Sequence, residues 1–101
     1  MSKLTESARG EECTLMIAPY CNHNPETVVL CHLPSLGHGM GLKSPNHWAV
    51  YGCSACHDIL DQRNPQAVRI IGWPEIVQCM FRALFRTQQR MIDKGLMKVA
   101  L

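Results

Sequence analysis

Long apolar runs are missing from this chain. Nothing in its 101 residues approaches the roughly 20 consecutive apolar residues that a spanning helix needs, so no membrane segment is expected. The first ten residues also lack the apolar h-region of a secretory signal. That argues against an exported disulfide framework, and the six cysteines, at 13, 21, 31, 53, 56 and 79, are expected to be reduced thiols of a cytosolic protein. One-sided charge is lacking as well. A formal net charge of +2 is too small to imply a nucleic-acid partner by itself, so the placement of the charges must decide. No internal repeat or low-complexity tract is visible.

What remains is a single expected domain, 1–101, at the small end of the range where one hydrophobic core is enough. Residues 1–12 are polar and read as a short lead-in. The stretch 13–21 starts as an extended apolar run that Pro19 breaks, which folds Cys13 and Cys21 toward one point. Thr27 to Leu33 has the β-branched and apolar content of a buried strand, and His47 to Tyr51 that of a second. Between them, residues 35–46 carry three glycines around His38 and Met40; a loop this long in so small a domain is often functional. Residues 54–62 read as a short helix and 66–72 as a weak strand or loop.

A last helix over about 74–94 has proline at a favoured first-turn position and Glu75 near its positive end. Ile76, Val77, Met80, Phe81, Leu84, Met91 and Ile92 recur at helical spacing and are expected to face the core. Arg82, Arg86, Arg90 and Lys94 fall at every fourth position. Four like charges on one ridge weaken a helix by roughly 0.2–0.5 kcal/mol per pair unless an anion lies against them, so a polyanion such as DNA is one expected occupant and solvent the other.

The densest chemistry is in residues 53–58. Cys53 and Cys56 form a knuckle, and with Cys13 and Cys21 they make a four-thiolate set suited to a tetrahedral structural Zn2+. The same letters, with His57, fit a c-type haem attachment motif or a redox dithiol; the first is disfavoured by the missing export signal, the second by the missing βαβ pattern. His57 has Asp58 beside it and Asp61 one helical turn on, a pair that can hold a divalent ion.

Taken together, Ala8-Arg9-Gly10, the Cys13 to Cys21 knuckle, residues 24–27, Leu30-Cys31-His32, Lys43 with Pro45, and the run from Cys53 to Asp58 with Asp61 resemble the YbcO family of small phage and prophage proteins, described as nucleases. The strand, loop, strand and helix order is similar to the HNH (ββα-metal) nuclease motif. The resemblance covers about residues 8–63. It implies an α+β fold, a small zinc-stapled HNH-like ββα-metal domain with a long C-terminal helix, that cleaves DNA in a bacterial host cytoplasm. It implies a structural zinc on the four cysteines, His32 as the general base, Asn46 orienting that base, and His57 on a catalytic Mg2+ or Mn2+ together with Asp61 or Asp58. Arg82, Arg86, Arg90 and Lys94 would contact the DNA backbone.

One position departs from that pattern. Family members carry Asp or His just before the base as a further ligand, where this chain has Cys31. Asp61, Asp58 or His38 substitutes, or the ion is softer, or catalysis is lost. The alternatives are a non-catalytic zinc module that binds nucleic acid or a protein of phage replication and recombination, and a homodimer packed through its C-terminal helix.

Overall fold

The computed structural model describes residues 3–33 and 46–98; His38, Lys43 and Pro45 lie outside that set. The chain forms a small α+β domain in the order α1 (Lys3–Ser7), a 3-10 turn (Pro25–Thr27), β1 (Val29–His32), β2 (Ala49–Gly52), α2 (Ser54–Leu60), α3 (Pro65–Ile71) and α4 (Trp73–Asp93). The two strands pair antiparallel, Val29 opposite Gly52 and His32 opposite Ala49. Both strands were expected from their apolar and β-branched content. Residues 13–21, by contrast, carry no strand: they cross the core as irregular chain that buries Leu15 and Ile17.

Two contacts fix the corner between β2 and α2. A Cβ built at Gly52 would come within 2.8 Å of both the Cys31 Sγ and Leu15 Cδ1, so only glycine lets residues 13–17 lie against the hairpin. Gly52→Ala is expected to cost about 1–3 kcal/mol through overpacking. Urea unfolding checks this; an unchanged midpoint would mean that Leu15 gives way freely. At the next residue, Cys53 is the N-cap of α2, its sulfur accepting from the Cys56 N–H at 3.5 Å. The thiol thus takes the place of the usual Ser or Asp cap.

The weak strand or loop expected at 66–72 is instead the helix α3. Asn64 caps it by accepting from the Ala67 N–H at 3.1 Å, and Pro65 fills the first turn where its missing N–H costs nothing. Capping outweighs the β-branched content of Val68, Ile70 and Ile71. Gly72, at φ 88°, makes the bend into α4.

Helix α4 packs on β2 and α3. Its buried stripe is Ile76, Cys79, Met80, Ala83, Thr87 and Met91. Ile76, Met80 and Met91 were expected there, and Val77, Leu84 and Ile92 are half-buried at its margin. Phe81 was expected in the core but is 71% exposed, as is Phe85. The stripe is rotated because Thr87, a polar residue, occupies the place against β2. There it takes up a backbone demand: the Tyr51 N–H donates to the Thr87 Oγ1 at 3.0 Å, while the Tyr51 carbonyl accepts from the Thr14 N–H and hydroxyl, both at 2.7 Å. The two hydroxyls are 3.1 Å apart. Buried backbone groups must find partners, and here two threonines serve the outer edge of β2. Among the described residues, no helix is long and apolar enough to cross a membrane.

Candidate functional site

Cys13, Cys21, Cys53 and Cys56 converge, their sulfurs all within 4.8 Å of one another and all buried. Each arrives by a local turn. Met16 and His23 adopt left-handed backbone, φ 48° and 54°, in the two turns that follow Cys13 and Cys21, a conformation that non-glycine residues adopt only where the surroundings demand it. These turns aim backbone N–H groups at sulfur: Met16 at Cys13 at 3.5 Å, His23 at Cys21, Ile17 at Cys56. The thiols titrate as a set. The hydrogen bond from Cys56 holds Cys13 down to about 4; donating that bond, together with burial, pushes Cys56 up. Burial, then the charge of Cys13, pushes Cys21 up to about 11.

This donor set fits a tetrahedral metal ion. Bonds of about 2.3 Å to four sulfurs place neighbouring sulfurs roughly 3.8 Å apart, and the Cys21 and Cys53 sulfurs are 3.8 Å apart. The other two thiols stand outside the cluster. Cys31 is fully buried, directed at the Val29 and Gly52 carbonyls at 3.6 and 3.8 Å, and burial first, then the charges of Cys13 and Asp61, hold it protonated. Cys79 is buried on α4.

The candidate catalytic residues form two pairs. His32, half-buried at the end of β1, places its Nε2 2.8 Å from the Asn46 Oδ1. Because that oxygen only accepts, the Nε2–H donates and the lone pair is left on Nδ1. Residues adjacent on a strand face opposite ways, so Cys31 points into the core while His32 points out of it. On α2, which packs against β1 and β2, the His57 Nε2 lies 3.1 Å from the Asp61 Oδ2. Asp61 also meets Arg63 at 3.5 Å and Asp58 meets it at 3.7 Å. Arg63 is therefore the counter-charge of both acids, a role that its position two residues after Asp61 made legible. Proximity of the α2 pair to β1 is felt at Cys31, whose thiol senses the Asp61 charge.

The basic ridge turns out to be a seam. Arg82 donates to the Leu15 carbonyl at 2.7 Å and Arg86 to the Met16 Sδ at 3.4 Å. Arg90 pairs with Glu11 at 2.9 Å, and Lys94 with Glu11 at 2.8 Å and the Ser7 carbonyl at 3.1 Å. All four thus clasp the N-terminal segment, and among the described residues no carboxylate pairs with Arg82 or Arg86. At Glu11, burial opposes the charge, but Lys94 and Arg90 outweigh it and hold the carboxyl below its usual range. Its contribution is therefore whole above about pH 4.5 and fades as pH falls through the lower folded value. Glu11→Gln is expected to lower stability at neutral pH by about 1 kcal/mol or less. That difference from wild type should close in acid, as denaturant melts at several pH values would read.

His23 also belongs to the neighbourhood of the sulfur cluster, its Nδ1 3.7 Å from the Cys21 Sγ; a histidine two residues after a candidate ligand cysteine is the signal for it.

Residues 2–96 match the family described as "Putative nuclease YbcO". The chain is 37% identical over 99 residues to "Putative nuclease YbcO" of Escherichia coli (strain K12), spanning 97% of this chain and 99% of that protein. The same figures hold for "Putative nuclease ybcO" of Enterobacteria phage 82. A solved Escherichia coli structure, described as a putative bacteriophage protein, superposes with a TM-score of 0.73 at 33% identity, covering 90% of this chain and 98% of that one.

Proposed function

The chain belongs to the YbcO family, and on that premise we propose that it is a metal-dependent endonuclease of the HNH type, hydrolysing DNA phosphodiesters in the cytoplasm of a phage-bearing bacterium. The observation that carries this reading is the pair of His32 and Asn46 at 2.8 Å, at the end of a strand on which the helix bearing His57 and Asp61 packs.

Asn46 fixes the imidazole of His32 by accepting its Nε2–H, which leaves Nδ1 to take the proton from an attacking water. His57 and Asp61 would hold a catalytic Mg2+ or Mn2+. The His57 Nε2 and Asp61 Oδ2, paired with each other at 3.1 Å, would supply a nitrogen and a carboxylate donor to that ion. That ion would supply charge stabilisation for the phosphate and the leaving oxygen. Asp58, tied to Arg63, is the reserve ligand.

Cys31, turned into the core and protonated, is no ligand of that ion, so the choice of a hard metal does not depend on it. Zn2+ on Cys13, Cys21, Cys53 and Cys56 would staple the hairpin to residues 13–21. DNA backbone contact falls chiefly to Arg82 and Arg86, with which no carboxylate among the described residues pairs, and Arg90 and Lys94, paired with Glu11, stand behind them; such contacts bind without reading sequence. Nicking of supercoiled plasmid that requires added Mg2+ or Mn2+ is the expected result. Absence of nicking with either ion, alongside salt-sensitive DNA binding, would replace this reading with a zinc-stabilised binding module.

A further inference from the structure

We propose that Arg63 is the phosphate-binding cation of the candidate active site, an anion clamp that takes a DNA phosphodiester once a divalent ion is held by His57 and Asp61. The inference rests on the nuclease reading above and adds to it the residue that would meet the substrate phosphate.

The place of Arg63 is fixed by the way α2 ends. Asp61 is the C-cap, and Gln62 takes left-handed backbone at φ 59°, in the position that glycine usually fills. The Arg63 N–H then donates to the Asp58 carbonyl at 2.8 Å, and the Gln62 N–H to the Ile59 carbonyl at 3.1 Å. These two bonds form a Schellman motif, which turns the chain back over the last turn of its own helix. The guanidinium thereby lies beside both Asp58 and Asp61, on the helix that also carries His57.

What separates Arg63 from a structural clasp is how loosely it is held. Its Nη1 is 3.7 Å from the Asp58 Oδ1 and its Nη2 3.5 Å from the Asp61 Oδ2, beyond the roughly 2.7–2.9 Å of a charge-assisted hydrogen bond. Arg90, by contrast, meets Glu11 at 2.9 Å, and its side chain is 33% exposed where that of Arg63 is 66% exposed. Arg63 is thus attracted to the two acids without spending its N–H donors on them. Those donors form a planar fork that matches the oxygens of a phosphate.

Charge decides when an anion can use the fork. Asp58, Asp61 and Arg63 together carry one negative charge in excess, a balance that repels DNA. With a divalent ion on Asp61 and a neutral His57, the excess becomes one positive charge, which a single phosphodiester neutralises. Arg63 and that ion repel each other unless an anion lies between them, so the substrate phosphate suits both. The same N–H donors then face the negative charge that grows on the phosphate oxygens during hydrolysis.

Two measurements with opposite signs test the clamp. In the full-length, zinc-loaded protein without DNA, Arg63→Ala is expected to bind Mn2+ roughly two- to fivefold more tightly than wild type, because an exposed like charge has been removed from beside the ligands. The Mn2+ electron paramagnetic resonance signal reads this. Plasmid nicking by the same variant should fall roughly ten- to hundredfold, the loss that follows from one hydrogen bond to a charged group. Arg63→Lys should keep the wild-type Mn2+ affinity and only part of the nicking, since a point charge lacks the fork. In a His32→Ala background, which leaves DNA uncut, added Mn2+ should tighten binding of a short duplex when Arg63 is present and not when it is alanine. Mn2+ affinity that falls together with nicking would make Arg63 a support for Asp61 and overturn the clamp. Undiminished nicking by Arg63→Ala would overturn it while hydrolysis stands. No Mn2+ uptake by the wild-type protein, or no nicking by it with either ion, would sink the nuclease reading and the clamp with it.

Discussion

Replacing Cys53 and Cys56 together by serine is expected to abolish binding of the proposed structural zinc and leave the chain largely unfolded at room temperature. A hydroxyl is a poor ligand beside a thiolate, and the pair supplies half of the sulfurs that meet within 4.8 Å. Structural zinc in small domains contributes on the order of 10–16 kcal/mol, comparable with the roughly 5–15 kcal/mol of net stability of a whole domain. Cys53 carries a second burden as the N-cap of α2, although serine can replace it in that role, so the loss should trace to metal rather than to capping. Zinc content and circular dichroism of the double variant measure both. One equivalent of zinc retained by a folded double variant would rule out the four-sulfur site.

His32→Ala is expected to lower the cleavage rate by roughly 10²–10⁴-fold, the range that a positioned general base provides. The half-buried ring lies at the last position of β1 and its side-chain bond is to Asn46, outside the sulfur cluster, so zinc content and the melting midpoint should stay near wild type. Asn46→Ala should act in the same direction and more weakly, since it frees the ring without removing it. Cleavage that survives His32→Ala at the wild-type rate would remove this histidine from the chemistry and turn attention to another base.

The sequence carried much of this arrangement because its local signals are strong. Strands from β-branched residues, the Cys53 to Cys56 knuckle and the proline-started last helix each follow from a short stretch. Where it failed, a distant contact decided the outcome. The ridge of Arg82, Arg86, Arg90 and Lys94 gives no local sign that its partners lie at residues 7–16. Thr87 interrupts the apolar spacing of α4, and nothing near it in sequence reveals that Tyr51 needs its hydroxyl. The helix α3 is hidden for a different reason: Asn64 and Pro65, coming straight after the expected helix 54–62, fit a helix stop as well as the helix start that they are. The role of Cys31 became legible only with the register, which turns it inward when His32 turns outward.

The threonine seal on β2 also sets the order in which the protein can be made. Thr14 and Thr87 are 73 positions apart, and Lys94 reaches back 87 positions to Ser7. A ribosome that has released the hairpin and the cysteine cluster has not yet released the helix that satisfies Tyr51. The nascent domain must therefore wait for its last quarter, and contacts of such long sequence separation slow the search for the native state. Metal capture by the four sulfurs, all of them encoded by residue 56, would precede that closure and hold the early half together until α4 arrives.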